Sequence, residues 1–71
     1  MEIFSKRLAD SMESANLTIY TIGQKTGIFP QMIKSYLDGE AEPRFIILRA
    51  ICLTLNVSSD YLLGLTDKKD C

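Results

Sequence analysis

Residues 18–39 read "TIYTIGQKTGIFPQMIKSYLDG". Between the glycines of this stretch the apolar residues recur every three or four positions, the period of a helix face. Gly27 suits a sharp reversal, because glycine adopts positive φ without steric cost. Gly23, four residues earlier, costs about 1 kcal/mol against alanine inside a helix, so a close approach at that point has to repay it. Ile28 follows the turn as an apolar plug, and the fixed φ of Pro30 suits a first helical position. Ile22, Ile33 and Tyr36 then meet beneath the corner. The pattern predicts two short helices at a fixed angle, the first capped by Thr18 and the second presenting Ile33, Tyr36 and Leu37 inward.

The same punctuation continues outward. Asn16, Gly27, Gly39 and Asn56 divide the chain at the residues that most readily close a helix in the left-handed conformation. A first helix is expected from about Ile3 to Ala15. It turns Phe4, Leu8, Met12 and Ala15 inward and leaves Lys6, Arg7, Asp10 and Glu13 off that face. A fourth helix follows Pro43, from about Arg44 to Leu55, with Leu48, Ile51, Cys52 and Leu55 as its core stripe. A short fifth, capped by Ser58 or Ser59, carries Tyr61, Leu62 and Leu63. No segment alternates as a strand does. The expectation is an all-α, five-helix domain over residues 1–66, with a frayed polar tail at 67–71.

Bulk properties bound the function. Seventy-one residues make one domain, and a chain this short buries only about 60% of its unfolded surface. The chain is 46% hydrophobic and 24% charged, with a net charge of −1, so it reads as a folded domain with no polybasic tract. The start "MEIFSKRLADS" lacks the apolar core of a signal peptide. The longest apolar run, "FIILRAICLTL", falls far short of the roughly 20 residues that span a bilayer. Cys52 reads as a core residue and Cys71 as a loose thiol; there is no CxxC pair and no histidine, so neither a metal site nor a cofactor is expected. These features imply a soluble, cytoplasmic protein. There is no histidine, neither cysteine has a base near it in sequence and no phosphate-binding glycine loop appears, so it is not read as an enzyme.

The stretches "LTIYTIGQKTGI", "IKSYLDG" and P-x-F-x-x-L-x-x-I-C-x-x-L-N-V-S-x-D-Y-L-L-G, in that order and spacing, resemble the Cro-type, or xenobiotic-response-element-type, repressor family. The likeness covers about Phe4 to Leu65. It implies a lambda-repressor-like fold with a helix-turn-helix at residues 18–38, whose third helix enters the DNA major groove. It also implies a homodimer on a palindromic operator and a role in transcription regulation, as a repressor. Carried over by position, Phe29, Pro30, Gln31, Lys34 and Ser35 face the bases. Thr18, Lys25 and Arg44 join them as DNA contacts, Thr18 and Lys25 at a phosphate. Glutamine pairs with both hydrogen-bonding positions of adenine's major-groove edge, which makes Gln31 the leading reader.

The chain also departs from that pattern. Ile19 stands where many members carry a glutamine that anchors the second helix to the DNA backbone. The loop "DGEAEPR" puts Asp38, Glu40 and Glu42 where members are often basic. The reading face opens with Phe29 and Pro30 and has Met32 nearby. The fourth helix shows a second apolar row, Ile46, Ile47, Ala50 and Leu53, where a surface helix normally shows one. With Tyr61 and Leu65, that row reads as a dimer interface. The alternative function is a protein-interaction module on the same fold, with an antitoxin or anti-repressor type of partner.

Overall fold

The computed structural model describes residues 1–70, so Cys71 lies outside the described residues. Five helices follow in order: α1 (Glu2–Ala15), α2 (Ile19–Thr26), α3 (Pro30–Leu37), α4 (Phe45–Leu55) and α5 (Ser59–Leu62). No strand occurs among the described residues. No described helix is long and apolar enough to cross a membrane.

The helix ends sit where the local chemistry puts them. Asn16 and Asn56 close α1 and α4 in the left-handed region, each at φ 58°. Gly27 and Gly39 turn the chain at φ 78° and 77°. Thr18 and Ser58 cap α2 and α5, their hydroxyls accepting from the amides of Thr21 and Tyr61. Each satisfies one of the donors that a helix start leaves without a partner.

One core joins the helices. α2 packs on α3 and α4, α1 on α3, α4 and α5, and α4 on α5. Phe4 and Leu8 of α1, Ile22 of α2, Ile33 and Tyr36 of α3, Ile51 of α4 and Leu62 of α5 are buried there, together with Cys52. Ile19, Ile28, Leu37, Ile47 and Leu48 are half-buried against it. Ile19 therefore serves packing. Ser5 Oγ ties α1 to the end of α3 by donating to the Tyr36 carbonyl at 2.7 Å.

Four expectations are corrected. Ala15 is exposed, since α1 ends there and the chain turns away through Asn16. Arg7 does not point into solvent. Its guanidinium stacks 4.4 Å from the centroid of the Tyr61 ring and donates to the carbonyls of Tyr61 at 2.7 Å and Thr66 at 2.6 Å. Its side chain is 16% exposed. Its ion pair with Asp67 adds little, because that carboxylate is 99% exposed and screened by water. The carbonyl bonds hold the chain past α5. The tail is accordingly laid down through Lys69, whose carbonyl accepts from the Ser58 amide at 2.7 Å. Finally, Tyr61 is buried under Arg7 and is not part of an exposed interface.

Candidate nucleic-acid interface

The corner between α2 and α3 is built from backbone. A Cβ added at Gly23 would stand 2.8 Å from the Ile28 carbonyl oxygen and 3.2 Å from Cγ of Pro30. Only glycine lets the turn lie this close to α2, which accounts for its cost in mid-helix. The Gly27 amide donates to the Gly23 carbonyl at 2.8 Å. Thr26 fastens the same turn: its hydroxyl donates to the Ile22 carbonyl at 2.7 Å and accepts from the Ile28 amide at 3.2 Å. The orientation of α3 is thereby set by hydrogen bonds and by the Pro30 ring resting on Gly23.

Of the proposed readers, Pro30 is half-buried and turned toward α2, so it builds the corner. Phe29 is 78% exposed and is not a core residue. Gln31 and Lys34 are exposed and Ser35 half-exposed. The Ser35 hydroxyl donates back to the Gln31 carbonyl at 3.1 Å. Lys34 pairs with Asp38 at 2.8 Å. The hydrogen bond and charge of Asp38 raise the Lys34 pKa above the ordinary lysine value. Both side chains of the pair are open to water, so the lysine can be drawn to a competing anion. Thr18 and Lys25 are exposed on α2, and Arg44 is exposed at the N-cap of α4.

Met32, which the sequence places beside the reading face as part of the alternative protein-binding surface, is 41% exposed; Tyr20 of α2, which no sequence pattern singles out, is 68% exposed. Phe29 stands between two shallow grooves. One is lined by Tyr20, Gly23, Gln24 and Pro30, the other by Met32 of α3 with Ile46, Ile47 and Ala50 of α4. Charge is segregated as well. All nine carboxylates of the chain lie at or before Glu13 or at or after Asp38. The stretch that forms α2, the turn and α3 holds Lys25 and Lys34 with no acid between them. Asp38, paired with Lys34, and Glu40, whose charge also acts on that lysine, border the surface at the end of α3.

On α4, Ile46 is 75% and Leu53 64% exposed, with Ala50 half-exposed between them. Ile47 belongs to the packed side. Phe45, unassigned by the sequence reading, is 92% exposed. At 100° per residue, Phe45, Arg49, Leu53, Ile46 and Ala50 fall on one arc of the helix. Leu65 is 74% exposed beyond α5.

No model of a known protein family matches the chain, and no curated protein matches it.

Proposed function

We propose that the chain is a sequence-specific DNA-binding regulator of transcription, with α2 and α3 acting as a helix-turn-helix in a lambda-repressor-like domain. The observation that carries this reading is the glycine-cornered helix pair, which presents exposed Phe29, Gln31 and Met32 beside the exposed Lys34. The major groove admits one α-helix, and base edges there are distinguishable by their donors, acceptors and methyl groups. α3 enters the groove, with Gln31 pairing to a base edge and Phe29 beside it. Lys34 leaves Asp38 for a phosphate. The start of α2 capped by Thr18, Lys25 in its last turn and the Arg44 side chain hold the DNA backbone.

The apolar arc of α4 is the dimer contact in this reading, made by Phe45, Ile46, Ala50 and Leu53. A twofold dimer would set two copies of α3 about one DNA turn, roughly 34 Å, apart on a palindromic operator. Occupying that operator blocks polymerase, and the assignment as a repressor rests on the family resemblance alone. The groove between α3 and α4 favours a second reading, an apolar protein partner seated on Phe29, Met32 and Ile46.

Selection from a random duplex DNA library near physiological salt tests the proposal. Enrichment of a pseudo-palindrome with half-sites about 10 base pairs apart is the expected result. A folded protein that enriches no motif overturns it. Salt separates the two readings, since phosphate-driven binding weakens steeply as salt rises and an apolar protein contact does not.

A further inference from the structure

We propose that the base pairs under α3 are A·T pairs recognised through thymine C5-methyl groups. This inference rests on the DNA-binding reading above and names the class of site it selects. In the major groove an A·T pair offers adenine N7 and N6, thymine O4 and one methyl group; a G·C pair offers no methyl. The surface here matches the first pattern. Gln31 is exposed and makes no side-chain hydrogen bond among the described residues, so both ends of its amide are available to adenine. Phe29 and Met32 flank it with apolar surface, 78% and 41% exposed.

The groups that read guanine are lacking or occupied. Arginine and lysine are its commonest partners. α3 has no arginine, and its lysine, which pairs with Asp38 at 2.8 Å, goes to a phosphate in this reading and lacks the bidentate fork of an arginine. The Ser35 hydroxyl has given its proton to the Gln31 carbonyl.

Phe29 adds an independent observation. It is the N-cap of α3 and its side chain makes no capping bond. An oxygen-bearing side chain is strongly preferred at that position. A largely exposed phenyl there serves folding little, and a local rule broken without a folding gain marks a functional position. The apolar group that a major-groove base edge can offer a phenyl ring is the thymine methyl. The exposed Lys34 on the same helix fits a polyanion and not an apolar partner alone.

The test has two arms. Library selection comes first, followed by binding to the selected duplex with thymine replaced by uracil at the positions under α3. Uracil keeps every hydrogen-bonding group and removes only the methyl. Half-sites with A·T pairs at those positions are expected. Uracil should weaken binding about fourfold per contacted methyl, the worth of one buried carbon group, and Phe29→Ala should bind thymine and uracil duplexes alike. Equal affinity of the unmutated protein for both duplexes overturns the inference, as do selected half-sites with G·C pairs under α3; in either case the DNA-binding reading stands. Selection of no motif overturns both.

Discussion

Replacing Phe29 with serine separates what this residue does for the fold from what it does for a ligand. The backbone at Phe29, φ −61° and ψ 134°, is already that of an N-cap. A serine hydroxyl there can accept from the amide of Gln31 or Met32. A capping oxygen is worth about 1 kcal/mol. The loss on the other side is small. Phe29 is 78% exposed, so only about a fifth of its surface is covered. Full burial of a phenylalanine is worth about 1.5–3 kcal/mol, so that share contributes roughly 0.3–0.6 kcal/mol. The balance favours the variant by about 0.5 kcal/mol. For a domain of this size that raises Tm by about 2–4 °C. Thermal and urea unfolding followed by circular dichroism measure the shift, and fluorescence anisotropy with the selected duplex measures binding. Phe29→Ser should be slightly more stable and bind DNA at least about fourfold more weakly, from loss of one methyl contact. A variant destabilised by more than about 1 kcal/mol would show that Phe29 is a packing residue. A stabilised variant with unchanged affinity would remove it from the DNA contact.

Gly23→Ala places a methyl 2.8 Å from the Ile28 carbonyl oxygen, which no side-chain rotation relieves. Overpacking of about 1–3 kcal/mol should outweigh the helix-propensity gain of about 1 kcal/mol, and denaturant unfolding reads the net loss. Arg7→Ala removes the ring stack and both carbonyl bonds at α5, and should cost about 2–4 kcal/mol by the same assay. Arg7→Lys should rescue little of it, because an ammonium lacks the planar fork that serves several acceptors at once. Lys25→Ala should weaken binding to all duplexes alike and flatten the log affinity against log salt slope by about 1. Leu53→Glu, at a 64% exposed position, should leave the monomer folded and shift sedimentation from dimer to monomer.

Much of the fold is legible in the sequence because local residues set it. The closures at Asn16, Gly27, Gly39 and Asn56 have the conformations those residue types favour, and α2 and α3 begin where a capping threonine and a proline allow. The corner is legible too, since a glycine inside a helix is unfavourable without a close neighbour. Arg7 is different. Its acceptors are backbone carbonyls more than fifty positions away, which every residue carries and no sequence pattern marks. That side chain covers Tyr61 and holds the chain at Thr66, and the Ser58 amide fastens the tail further on at the Lys69 carbonyl. Phe45 lies outside both apolar rows read from the fourth helix, and its exposure is set by where the neighbouring helices end. The run without an acid between Glu13 and Asp38 is visible in the letters; that Asp38 then folds back onto Lys34 is not.

Backbone amide mapping tests the central claim most directly. A duplex carrying the selected site is titrated into nitrogen-15-labelled protein, and shifts are followed residue by residue. The account predicts the largest changes at Thr18–Lys25 and Phe29–Ser35, with α5 and the tail on Arg7 unmoved. Absence of shifts in α2 and α3, or changes confined to the apolar arc of α4, would contradict it.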